Sequence, residues 1–189
     1  MTDEQEKPVR GRPRSTSADE AILNAARNLV MARGYDAVTT SEIASAAGVG
    51  KQTIYRRWPS KADLVLQSFV TLAAEEVVVE IEGNLSDRLH SFLTKTSDAL
   101  RRTAPAVRSL MMTAQTDPDF RESFKQKLIE PRRAALRTLL DEAGNAKLVE
   151  AAVISVYGAI WYRLLLDEPV DTDFAKALSE LVTNGLSAQ

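Results

Sequence analysis

The chain has 189 residues, 44% hydrophobic and 26% charged, the profile of a folded soluble protein built as one large domain or as a small one joined to a larger one. It has no cysteine and a single histidine, His90, which excludes disulfides, thiolate nucleophiles, cysteine-ligated zinc and His-rich metal sites; no cofactor is expected. The formal charge of -2 conceals an asymmetry: ten basic residues face four acids between Lys7 and Lys61, whereas acids outnumber bases nineteen to fourteen from Asp63 onward.

Residues 1–16 are charged, contain Pro8 and Pro13 and show no period, which predicts a flexible basic arm. Ser17-x-x-Glu20 has the form of a capping box, and Ile22, Ala26, Leu29, Val30 and Arg33 then recur at helical spacing up to Gly34. A second helix is predicted from Thr39, with Glu42 completing a capping box and Val38 and Ile43 placed as a hydrophobic staple. Gly48-Val49-Gly50 ends it within about two turns. A third helix has room only from about Lys51 to Trp58, because Pro59 follows. Ser60 caps a fourth, which carries Val77-Val78-Val79 and ends at Gly83-Asn84. Further helices are predicted at about 86–103, 105–116, 118–143, 146–166 and 172–187, with Pro131 kinking or locally breaking the third of these. No segment alternates as a strand, so the expectation is an all-α chain of about nine helices.

The segment GVGKQTIYRRWPSK, residues 48–61, is short and polar, and a helical wheel divides it into two faces. Gln52 and Arg56 fall nearly opposite Ile54, so Ile54 and Trp58 can hold the helix to the first two while Gln52 and Arg56 point away. Thr53 and Tyr55 lie on the flanks, and Lys51 sits at the N-terminal end, where the helix dipole favours an anion. Three short helices with a Gly-containing turn between the second and third form a helix-turn-helix plan. Its outward Gln and Arg suit base edges in a major groove, and the flanking hydroxyls suit phosphates. A basic N-terminal third fits a polyanionic partner, with an unevenly solvated surface as the alternative.

The run VTTSEIASAAGVGKQTIYRRWPSKADL, residues 38–64, resembles the N-terminal signature of the TetR family of bacterial transcriptional regulators. Ile43, Ala44, Ala47, Gly48, Val49, Thr53, Tyr55, Lys61 and Leu64 fall on matching positions. Gly50 stands where the family usually has a capping Ser, and Trp58 where it usually has Phe. The resemblance covers about residues 18–66. It implies an all-α homodimer on a palindromic double-stranded DNA operator, with a C-terminal domain for dimerisation and a small-molecule effector. It also implies DNA contacts from Thr40, Lys51, Gln52, Thr53, Tyr55 and Lys61. Arg56 joins them from the wheel, and Arg12 and Arg14 of the arm are candidates for a minor groove or for a solvated tail. The resulting division is an arm over 1–16, a DNA-binding domain over 17–66 and a helical ligand-binding and dimerisation domain over 67–189.

Residues 120–140 and 161–171 are similar, more weakly, to C-terminal domains of one branch of the family. The last two helices are expected to pair with their copies. Val149, Val153, Val156, Ile160 and Leu164 form one stripe, broadened by Tyr157, Trp161 and Leu165, and Phe174, Leu178, Leu181, Val182 and Gly185 form the second. Candidate ligand residues are Phe92, Met111, Met112, Phe120, Phe124, Tyr157 and Trp161, with His90, Arg108 or Arg163 as polar anchors. Each is open to a plainer reading as core or surface ion pair.

The N-terminus lacks an apolar core of signal-peptide length. The apolar run from Val149 to Leu166 is broken by Glu150, Ser155, Gly158 and Arg163, so a buried helix and a cytoplasmic location are expected. One histidine, no cysteine and no recognisable nucleophile–base pairing leave little for catalysis. The reading that follows is a repressor released from its operator by a small molecule, with a non-sequence-specific architectural DNA-binding protein as the alternative.

Overall fold

The computed structural model describes residues 13–76, 82–143 and 145–187, and among these the chain is helix and connecting turn, with no strand. The helices are α1 (Pro13–Arg33), α2 (Thr40–Ala46), α3 (Lys51–Tyr55), α4 (Lys61–Glu76), α5 (Leu85–Thr116), α6 (Pro118–Phe124), α7 (Glu130–Leu140), α8 (Ala146–Leu165) and α9 (Thr172–Ser187). The predicted Val77-Val78-Val79 extension of α4 lies outside the described residues.

Two predicted boundaries are corrected. α1 begins at Pro13, so residues 13–16 are helix and not arm, and Ser17 lies one turn inside. Proline is suited to a first helical position, where its missing N–H has no intrahelical partner to lose. Pro105 does not break the chain either: α5 runs through it from Leu85 to Thr116. Pro105 and Arg101, whose carbonyl loses its i+4 donor, both lie on the exposed face of the helix, where water can replace the lost hydrogen bond. Pro131 does disrupt its helix. A π-helical turn over Lys125–Ile129 separates α6 from α7 and takes up the residue that the proline displaces from regular register.

Side-chain caps set several starts. Asn84 accepts from the Asp87 N–H, Asp117 from Phe120, and Asn145 from Lys147 and Leu148. Two apolar cores result. The first joins Ile22, Ala26 and Val30 of α1 and Ile43 of α2 to Ile54, Trp58, the inner face of α4, and Leu110, Phe120 and Phe124 of the body. The second gathers Leu89 and Phe92 of α5, Leu136, Leu139 and Leu140 of α7, the α8 stripe, and Leu178 and Val182 of α9. α4 packs against α1 on one side and α5 on the other, and α9 lies along α5. The three-helix head is therefore fused to the body through a continuous core.

α8 is the described helix long and apolar enough to cross a membrane. Its stripe Val149, Val153, Val156, Ile160 and Leu164 is buried against the second core. Tyr157 and Trp161, expected to widen an outer face, turn inward instead, while Ile154, Tyr162 and Leu165 face out.

Candidate functional site

The head owes its shape to a chain of local devices. Thr39 caps α2: its hydroxyl oxygen accepts from the Glu42 N–H at 3.2 Å, and Glu42 accepts in return from the Thr39 N–H at 2.8 Å. Arg33 at the end of α1 reaches the same carboxylate at 2.8 Å, with its other guanidinium nitrogen on the Ala37 carbonyl. These donors, Thr39 first, hold the Glu42 carboxyl down to about 2. Val38 and Ile43 are both fully buried, as a staple requires. After α2 the chain reverses at Gly48, whose φ of +65° is left-handed backbone that a Cβ disfavours.

α3 then runs as the wheel predicts. Ile54 and Trp58 are buried in the first core, each contributing about 1.5–3 kcal/mol of burial. Arg57 pairs with Asp19 of α1 at 2.7 Å, a second tie from behind. Lys51, Gln52, Tyr55 and Arg56 are exposed, Tyr55 at 49%, and Thr53 is half-buried. The Lys51 ammonium sits 5.9 Å from the Tyr55 ring centre, so the two groups share one flank. Gly50 is the N-cap, with extended backbone at φ -76° and no side-chain hydrogen bond to the first turn.

Two predicted contact residues also have a place within the protein. Thr40 is only 7% exposed, because it begins α2 with its side chain turned toward the core. Lys61 is committed to the protein: its ammonium donates to the carbonyls of Tyr35 at 2.9 Å and Val38 at 3.0 Å, and lies 4.0 Å from the Tyr35 ring centre. It thereby ties the start of α4 to the loop between α1 and α2. Arg12 lies outside the described residues, and Arg14 falls within the first turn of α1.

The head is linked to the body beside this lysine. Asp63, largely buried, accepts from the Ser60 hydroxyl at 2.7 Å and from the Ser123 hydroxyl of α6 at 3.0 Å. Tyr35 packs beside Thr113 of α5, and burial pushes its hydroxyl pKa up.

In the body, an apolar cavity of about 90 Å³ lies at the seam of the two cores. Phe69 and Leu72 of α4 form one wall, Leu100, Val107 and Leu110 of α5 another, Leu128 and Ile129 of the π turn a third, and Tyr157, Ile160 and Trp161 of α8 the last. Of the predicted ligand residues, Tyr157 and Trp161 line it. Phe92 is in the second core, and Phe120 and Phe124 stack in the first, where Phe124 meets Trp161 edge-on at 5.9 Å. Met111, Met112 and Arg108 line an open surface groove instead, and Arg108 is paired with Asp167. Arg163 pairs with Glu168 and covers the Phe174 ring, and His90 does not reach the cavity. Aromatic and methionine content did not separate cavity from core, because both need the same side chains.

The residue the sequence reading passed over is Arg132, which also lines the cavity. The signal was present: Arg132 precedes Leu136, Leu139 and Leu140 by four, seven and eight residues, which places a cation on the buried stripe of α7.

Residues 22–67 match the family model of bacterial regulatory proteins of the tetR family, and residues 79–182 match that of tetracyclin repressor-like C-terminal domains. The chain belongs to the TetR family. It is a transcriptional regulator with a helix-turn-helix DNA-binding head. The HTH-type transcriptional regulator YdeS of Bacillus subtilis is 30% identical to it over 187 residues, spanning 95% of this chain and 94% of its own. Rv1556 of Mycobacterium tuberculosis, another HTH-type regulator, is 28% identical over 155 residues, spanning 82% and 75%. The crystal structure of the TetR family regulator SCO0332 superposes with a TM-score of 0.73 at 29% identity, covering 92% of this chain and 98% of that one.

Proposed function

We propose that this TetR-family chain is a ligand-responsive repressor that grips a near-palindromic operator as a homodimer, with α3 in the major groove. The observation that carries the reading is the two-sidedness of α3. Ile54, Trp58 and the Arg57–Asp19 pair lock it from behind, while Lys51, Gln52, Tyr55 and Arg56 are left exposed together. Arg56 suits guanine O6/N7 and Gln52 suits adenine N6/N7, the two contacts that read sequence. Lys51, Thr53 and Tyr55 suit phosphates, which set register and affinity. Thr40 and Lys61 are left out of this set because burial and the two loop carbonyls already occupy them. In the test, Arg56→Ala relaxes preference at one base step, while Tyr55→Phe weakens all sites about equally. Unchanged binding by both variants would refute the face assignment.

The second copy sits on the outward faces of α8 and α9. Ile154, Tyr162, Leu165 and Leu181 are large apolar side chains left in solvent there, and small residues Ala151, Ser155 and Gly158 lie between them on α8. Exposed small residues among large ones suit close approach of a symmetry-related helix.

The effector occupies the cavity at the core seam. At about 90 Å³ it is far smaller than the roughly 300–1,000 Å³ of sites that enclose drug-sized molecules, so occupancy must spread its walls. One wall is α4, whose first turn is tied to the head through Lys61 and to α6 of the body through Asp63. A displaced α4 carries α3 with it and changes the distance between the two recognition helices, which must span about one turn of DNA.

A further inference from the structure

Among the described residues Arg132 is the one cation that lines the cavity, and its surroundings identify what it is there to meet. Other arginines of the body have carboxylate partners: Arg133 and Arg137 both pair with Glu150, Arg88 with Glu142, and Arg108 with Asp167. Arg132 has no carboxylate partner among the described residues. Its guanidinium donates a single hydrogen bond, to the Leu128 carbonyl, at the long distance of 3.5 Å. Arg132 is half-buried, and that burial pushes its pKa down with no carboxylate beside it to offset the lost hydration.

The other polar groups of the lining are already satisfied. The Thr96 and Thr103 hydroxyls donate to the carbonyls of Phe92 and Ala99 one turn back on α5. The Tyr157 hydroxyl donates to the Arg132 backbone carbonyl at 2.9 Å, which fixes the start of α7 against α8. Burial pushes the Tyr157 pKa up, so it stays a neutral donor. That leaves a greasy cavity with one unmatched, bidentate donor at its edge. A guanidinium fork is matched in shape and charge by a carboxylate. A single arginine neutralises one negative charge, and a narrow cavity favours a compact head on a chain of methylene width.

We propose that the cavity binds an elongated apolar monocarboxylate, its head on Arg132 and its chain between α5 and α8. The proposal rests on the reading of the cavity as the effector site and deepens it. Because Phe69 and Leu72 of α4 close the same cavity, ligand length governs how far α4 is displaced.

Decanoate, decanol and decyltrimethylammonium, titrated calorimetrically into the full chain at neutral pH, test it without any variant. Decanoate binds at least about tenfold more tightly than decanol, and the ammonium amphiphile is weakest. Arg132→Gln abolishes the margin between acid and alcohol while decanol affinity holds, and Arg132→Lys restores part of it. Equal binding of acid and alcohol to the wild-type chain would overturn the carboxylate assignment and leave the cavity as an effector site. Failure of all three probes to bind would overturn the cavity reading and this assignment with it.

Discussion

Replacing Lys61 with methionine separates a structural tie from a DNA contact. Met keeps most of the apolar stem but removes two charge-assisted hydrogen bonds, at 2.9 and 3.0 Å, and a ring contact at 4.0 Å. The hydrogen bonds are partly buried and worth about 1 kcal/mol or more each, and the cation–π contact adds about 0.5–1 kcal/mol. The sum is about 3 kcal/mol, which for a chain of this size lowers Tm by about 6–12 °C. Thermal unfolding followed by circular dichroism reads that loss. Affinity for one fixed duplex, measured across a salt series, reads the alternative, because each phosphate contact contributes about 0.9 to the slope of log K against log salt. The structure predicts a large drop in Tm with a nearly unchanged slope. An unchanged Tm with a slope reduced by about one would refute the assignment and return Lys61 to the phosphate-binding set.

Gly158→Leu should convert the dimer to a monomer in sedimentation velocity while leaving the helical spectrum intact, since a Cβ there meets nothing within 4 Å in the protomer. A dimer that survives the leucine would move the interface off α8. Gly50→Ser should raise stability by a few tenths of a kcal/mol or somewhat more, because the site has ordinary extended backbone and open space for a cap. It should also tighten DNA binding if the new hydroxyl meets a phosphate. Gly48→Ala, by contrast, should cost about 1–2 kcal/mol in a urea titration, since its left-handed φ penalises any Cβ. For Glu42, the folded-state pKa lies below its usual 4.5, so its stabilisation is complete above that pH and fades as pH falls toward 2. The Tm difference between wild type and Glu42→Gln should therefore shrink over that interval, and a difference flat across it would exclude the capping carboxylate as its source.

The head was legible in the sequence because its determinants are local. Thr39 and Glu42 cap within one turn, Gly48 needs its left-handed backbone, and Pro59 bounds α3, so each signal lies within a few residues of its effect. The faces of α3 followed from spacing alone, and Ile54 and Trp58 are buried as the wheel requires. What the sequence did not announce needed partners distant in the chain. Lys61 is taken up by carbonyls 26 and 23 residues earlier, and nothing near it in sequence announces that engagement. Pro105 reads as a break until the helix is seen to carry both Pro105 and Arg101 on its exposed face. Of the ten candidate ligand residues, Tyr157 and Trp161 line the cavity and the other eight do not, because an apolar stripe does not say whether it faces another helix or a void. Arg132 shows the more useful signal: a charge on a stripe that should be buried.

Selection of bound sequences from a random duplex pool reads directly whether α3 recognises a palindromic operator. The expected result is a palindromic consensus whose half-sites lie about one helical turn apart, each with a guanine lost from the consensus when Arg56 is replaced by alanine. Recovery of unenriched sequences, or of a consensus indifferent to Arg56 and Gln52, would contradict it.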